Sequence, residues 1–171
     1  MAHKVAGLNF HGFQLNTPWP DVDSLVRYKS RFQGAVITIP LQREALDIVD
    51  WDPKGIARKL KGYEDVADYA LIDPSAGYGQ ELDVRFTRSC FDAIFALMPN
   101  VGLVAAGGLF ADNVEEKLED LLKEFPLGTD AEGKLRTSDD HLGVAEAIRY
   151  VQTTDALLRK YEAKRNPQLL K

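Results

Sequence analysis

Four places in this sequence carry groups able to do chemistry. Asp73 closes the apolar run DYALIDP (68–74) and opens a glycine-bearing stretch, DPSAGYGQELD (73–83). Gly107 and Gly108 close VGLVAAGG (101–108) and lead directly into LFADNVEE. Free backbone N–H groups and a helix dipole at such a junction can hold an anion, and glycine lets a ligand approach the backbone closely. In LGTDAEG (127–133), Asp130 and Glu132 alternate and would face one side of a strand. That pair could hold a metal, bind a cationic group or share a proton; the plainer alternative is a charge pair with Arg136 or Lys134. Gln14 and Asn16 alternate in GFQLN (12–16) and should share a face. They either bind a substrate at a strand end or satisfy buried backbone.

Other reactive types fit ordinary packing. Cys90 is the single cysteine, so there is no internal disulfide, and its residue type suits a buried apolar position. His3, His11 and His141 lack metal-ligand spacing. Trp19 and Trp51 follow strand-end regions and either shape a mouth pocket or cover the rim. RKLKG (58–62) reads as a solvated helix face. No P-loop, dinucleotide fingerprint or nucleophile elbow occurs.

The elements that must position these groups alternate between two kinds. GAVITIP (34–40), DYALIDP and VGLVAAGG are short, apolar and rich in β-branched residues, as buried strands are. LGTDAEG and GFQLN are weaker strand candidates, the latter extended upstream through GLNF (7–10). Between them lie helical patterns. Asp112, with Glu115 three positions on, predicts a capped helix over 112–125, with Val114, Leu118, Leu121, Leu122 and Phe125 on one face. Segment 85–98 places Phe91, Ile94, Phe95 and Met98 together. Asp52–Pro53 and Asp21 signal two further helix starts. A last helix is expected from Asp139 or Asp140, running through Leu142, Ala145, Ile148 and Val151 to about Tyr161. The tail from 164 to 171 is expected to fray. Such alternation implies parallel strands with crossover helices, either an open doubly wound sheet or a barrel.

With 171 residues, 45% hydrophobic and 27% charged, the chain suits one globular domain, 1–171. A net charge of −5 argues against nucleic acid or an anionic membrane as the partner. No apolar run approaches the ~20 residues of a membrane span. MAHK is followed by no long apolar region, so no signal peptide and a cytoplasmic location are expected.

The ordered set QLN, LIDPSAGYGQELD and AAGGLFADNV resembles the phosphoribosylanthranilate isomerase family, closest to its barrel relatives with DAEG in the seventh strand. The resemblance covers most of residues 12–150. It implies a partial TIM-type (β/α) barrel of about five units, its strands corresponding to strands three to seven. It also implies an intramolecular aldose–ketose (Amadori-type) isomerase acting on a small phosphorylated sugar derivative, without metal or cofactor. Asp73 would be the general acid, which burial could favour; otherwise it is a turn residue before Pro74. Gly107 and Gly108 would bind phosphate, or simply allow tight packing. Gly77 and Gly79 would lie in a mobile loop, or in an ordinary turn.

The pattern departs from the family in three ways. The family's base is a cysteine on the first strand, and Cys90 falls on a predicted helix instead. The arginine of the second strand has no counterpart. The serine- or glycine-rich turn after strand seven reads TDAEG, whose carboxylates repel phosphate unless a cation intervenes. A full barrel typically needs ~250 residues, with a lower bound near 200. Open strand edges are therefore expected to be covered by a second copy, by residues 1–12, or by closure into a smaller barrel, the homodimer being preferred. The alternative function is a non-catalytic anion- or small-molecule-binding fragment, or an assembly-forming one.

Overall fold

The computed structural model describes residues 11–75 and 81–166. Five strands alternate with helices. They are β1 (Gly12–Gln14), α1 (Val22–Arg31), β2 (Val36–Gln42), α2 (Arg43–Asp47), α3 (Pro53–Leu60), β3 (Tyr69–Asp73), α4 (Val84–Leu97), β4 (Gly102–Ala106), α5 (Val114–Glu124), β5 (Leu127–Asp130) and α6 (Val144–Arg165). Short 3₁₀ turns occupy Lys61–Tyr63 and Gly133–Leu135.

The sheet is wholly parallel, and its strand order follows the sequence from β1 to β5. That order distinguishes the two architectures left open above. A doubly wound sheet reverses its strand order at a switch point. Here there is no reversal, so crossovers of one hand place every helix on one face. Successive helices touch one another, α3 with α4, α4 with α5 and α5 with α6. The sheet curls around its other face into a half-barrel.

Strand alternation then sorts the side chains. Ile37, Ile39, Leu41, Ala70, Ile72 and Ala105 face the helices and are fully buried. Their alternates form the rows of the concave face. One row runs Gln14, Thr38, Tyr69, Gly102; the next runs Pro40, Leu71, Val104, Gly128. The last row, at the carboxyl ends, is Gln42, Asp73, Ala106, Asp130. Asp68 anchors the opposite end. Its carboxylate accepts the Ile37 N–H at 2.7 Å and pairs with Lys29 at 2.8 Å, while its carbonyl accepts the Gly102 N–H at 2.8 Å. One residue at the base of β3 thus ties together α1 and three strands, through its carboxylate and its carbonyl.

Two of the expected helix starts are as anticipated. Asp21 caps α1 through the Ser24 N–H at 2.8 Å, and Asp52 caps α3 through the Lys54 and Gly55 N–H groups. Each is an N-cap carboxylate satisfying amides that have no helical acceptor.

Several expectations need correction. The strand expected over 12–16 stops at Gln14. The Leu15 N–H donates to the Thr38 carbonyl at 3.2 Å, so Thr38 and then Pro40 address the β1 side. Proline has no N–H to give, and β1 has ended there, so no ladder bond is lost. The strand expected to stop at Pro40 therefore continues to Gln42. Asp112 is not the cap of α5, which begins at Val114 after Asn113; Asp112 instead pairs with Arg149 on α6. Phe95 is not on the buried face of α4 and is 43% exposed.

The last helix starts at Val144, later than expected. A turn around Asp140, with Gly143 N–H bonded to the Leu135 carbonyl at 2.7 Å, takes up residues 137–143. Its inward face is Tyr150, Thr154, Leu157 and Tyr161, whereas Leu142, Ile148 and Val151 are each more than half exposed. Tyr150 and Tyr161 carry hydroxyls that reach Thr129 on β5 and Glu119 on α5, and those bonds set the rotation of the helix. The helix also continues through 164 and 165, where a frayed tail was expected; Arg165 holds it by donating to the Leu122 and Phe125 carbonyls. The upstream extension GLNF lies outside the described residues, as do residues 167–171. No described helix is long and apolar enough to cross a membrane.

Candidate functional site

The carboxyl ends of the strands bring together Gln14, Gln42, Asp73, Ser75, Gly107, Gly108, Asp130 and Glu132 around a cleft of about 30 Å³. Six of the expected site residues thus share one place. Asn16 does not join them. It lines a neighbouring cavity of about 420 Å³ with Thr17, Pro40, Gln42, Arg43 and Glu44. Gln42 borders both spaces. Gly77 and Gly79 lie outside the described residues.

Asp73 is 5% exposed and is held by its own turn. Ser75 donates twice to the Asp73 carboxylate, from its backbone N–H at 3.1 Å and from its hydroxyl at 2.6 Å. This is the Asx-turn that an Asp-Pro-Ser sequence favours. The turn reading and a site role are therefore compatible, because the same bonds that close the turn fix the carboxylate at the mouth.

Asp130 stands in the same cross-strand row, one strand beyond Ala106. Burial pushes its carboxyl above the ordinary range, and the charges of Asp73 and Glu132 add to the effect. Desolvation and like charge both disfavour a second anion. Glu132 itself is exposed and pairs with Arg136 at 2.5 Å, as the plainer expectation had it. Asp130 and Glu132 are thus unlike neighbours: Glu132 is paired with an arginine, whereas the Asp130 carboxyl is raised by burial and by nearby carboxylates. Among the described residues, no group of three or more His, Cys, Asp or Glu side chains is placed to hold a metal ion.

Gly107 and Gly108 have φ of +125° and +57°, backbone that a residue with a Cβ adopts only at a cost. Asn113 pins this turn. Its amide donates to the Gly108 carbonyl at 3.0 Å, and its carbonyl oxygen accepts the Phe110 N–H at 2.9 Å. The Asn113 and Val114 N–H groups both point to the Phe110 carbonyl, at 3.2 and 3.1 Å. Two amides of the α5 start are thus already engaged, and Glu115 and Glu116 occupy its first turn. The junction offers less to an anion than its sequence implies.

Cys90 lies buried on α4, where burial pushes its thiol up to about 12. It stays protonated at neutral pH and supplies no base. Trp19 donates to the Ala45 carbonyl at 2.8 Å, with Lys59 over its ring; Trp51 packs against Phe86. Both cover packing rather than the cleft. His141 lies in the turn before α6.

Three contributors escape a reading of the sequence: Ser75, Gln42 and Asn113. Ser75 had a signal in the Asp-Pro-Ser turn. Gln42 alternates with Thr38 and Pro40, but Pro40 reads as a strand end. Asn113 sits where Asp112 looks like the better cap.

No protein-family model matches the chain, and neither does any curated protein or solved structure.

Proposed function

We propose that the half-barrel mouth is a proton-transfer site of the phosphoribosylanthranilate isomerase kind. In this reading the five strands take the places of strands three to seven of a TIM-type barrel. The substrate is a small phosphorylated sugar derivative with a C–H bond beside its carbonyl carbon. Asp73 removes the proton from C2, and Asp130 gives its proton to the carbonyl oxygen, leaving an enediol. Asp73 then returns its proton to C1 while Asp130 takes one from the C2 hydroxyl. The aldose becomes a ketose, and both carboxyls end as they began.

The observation that supports this is the pairing of Asp73 and Asp130 in one row, with Asp130 pushed toward its neutral form by burial and by the Asp73 charge. Two carboxyls in unlike surroundings are suited to opposite roles. The assignment departs from the one the family resemblance implies, in which Asp73 is the acid and a cysteine the base. The test is ribose 5-phosphate in D₂O followed by proton NMR. The wild-type protein should wash out the C2 proton, and Asp73→Asn or Asp130→Asn should slow this at least 100-fold. A C2 signal that persists at the buffer rate with wild-type protein sinks the reading.

A second copy of the chain is the partner this reading calls for. Leu142, Ile148 and Val151 are exposed apolar side chains on and just before α6, and β1 and β5 are the two edge strands of the sheet. Burying apolar surface and strand edges together favours association. Light scattering at micromolar concentration should give twice the chain mass of 19.1 kDa; a strict monomer removes this part of the proposal.

A further inference from the structure

The cleft around Asp73 and Asp130 is much smaller than the neighbouring cavity, about 30 against about 420 Å³. The charges around it are unfavourable to an anion. Asp73, Asp130 and Glu132 line it, and the nearby start of α5 carries Glu115 and Glu116. An anion placed against Gly107 and Gly108 would meet carboxylates on the flanking strand ends.

The neighbouring cavity differs in size and in charge. Its volume of about 420 Å³ falls within the ~300–1,000 Å³ common for small-molecule sites. Arg43 lines it, at the point where β2 passes into α2. Most arginines of this chain are committed: Arg27, Arg58, Arg88, Arg136, Arg149 and Arg159 pair with carboxylates, and Arg165 donates to backbone carbonyls. Arg43 makes no hydrogen bond or ion pair through its side chain with any described residue. Glu44 lines the same cavity, yet the two are not paired. A guanidinium left open at a cavity wall is a fork-shaped donor set suited to phosphate or carboxylate. Asn16 and Thr17 add neutral polar groups from the end of β1.

We infer that the anionic group of the ligand is held beside Arg43, Asn16 and Thr17, and not at Gly107–Gly108. The ligand then lies across Gln42, with its anionic end in the larger cavity and its hydroxyl or carbonyl end against Asp73 and Asp130. The site therefore selects molecules with an anion at one end and hydroxyl- or carbonyl-bearing carbons at the other. This inference rests on reading the mouth as a ligand site. It moves the anion subsite from the junction after β4 to the one after β2.

Calorimetry with ribose 5-phosphate, unphosphorylated ribose and inorganic phosphate tests it. Arg43→Gln should weaken ribose 5-phosphate at least 10-fold and abolish phosphate binding, while leaving ribose unchanged. Arg43→Lys should fall between, because one point charge replaces the fork. Arg159→Gln, which removes the same charge from the outer face of α6, should have no effect. If Arg43→Gln binds ribose 5-phosphate as tightly as wild type, or if Arg159→Gln weakens it equally, the subsite is not at Arg43, and the proton-transfer reading is untouched. If phosphate binds through Arg43 but the C2 proton never exchanges, the subsite stands and the catalytic reading falls. If wild type binds neither phosphate nor ribose 5-phosphate, the subsite inference is overturned.

Discussion

Asp73 and Asp130 lie in one row across the concave face, separated only by Ala106. Two strand spacings put their backbones about 9–10 Å apart, and the curl of the sheet turns both side chains toward the same mouth. Asp73 is clamped as an acceptor by Ser75, while Asp130 is pushed up by burial and by the Asp73 charge. Position and electrostatics together make the two carboxyls a pair.

Asp130→Asn should stabilise the protein at neutral pH. Its carboxyl holds a proton more readily in the folded chain than at its ordinary value of 3.8. The group therefore favours folding fully below that value, and the benefit is lost as pH rises through the higher folded value. At neutral pH the carboxyl costs folding either as a proton held above its ordinary range or as a charge in buried surroundings, and the amide carries neither cost. Thermal melts at pH 7 should place the variant above wild type, each kcal/mol reading as about 2–4 °C in a chain of this size. At pH 3 the gap should close. A variant less stable than wild type at pH 7 contradicts this electrostatic account.

Asn113→Ala should cost about 1–3 kcal/mol, from two bonds worth about 0.5–1.5 each. It frees the Phe110 N–H and the Gly108 carbonyl and leaves the positive-φ turn at Gly107–Gly108 unsupported. Asp112→Ala, at the residue that looks like the cap, should cost less, because its partner Arg149 is an exposed one. Chemical denaturation of both variants orders the two effects; a larger loss for Asp112→Ala reverses the assignment.

The architecture was legible in the sequence where burial on both faces dictates it. Ile37, Ile39, Leu41, Ala70 and Ile72 belong to continuous apolar runs, and only parallel strands under helices need such runs. The caps at Asp21 and Asp52 were legible because a cap is a local event. The rotation of α6 was not. Val144, Ile148 and Val151 have helical spacing as regular as Tyr150, Leu157 and Tyr161, and only the hydroxyl partners on β5 and α5 decide between the two faces. The site was half legible. Asp73, Gly107, Gly108 and Asp130 end strands and were visible for that reason. Their pairing depends on cross-strand register, which is a tertiary property. Gln42 and Arg43 stayed hidden because Pro40 resembles a strand end, and only the early finish of β1 lets the strand run past it.

The pairing of Asp73 with Asp130 is tested most directly by carbon-13 NMR of the Asp130 carboxyl across pH 2–8, in wild type and in Asp73→Asn. The wild-type midpoint should lie above the ordinary 3.8 and should fall when Asp73 loses its charge. A wild-type midpoint at the ordinary value, or one that Asp73→Asn leaves unmoved, would show that the two carboxyls do not act as a pair.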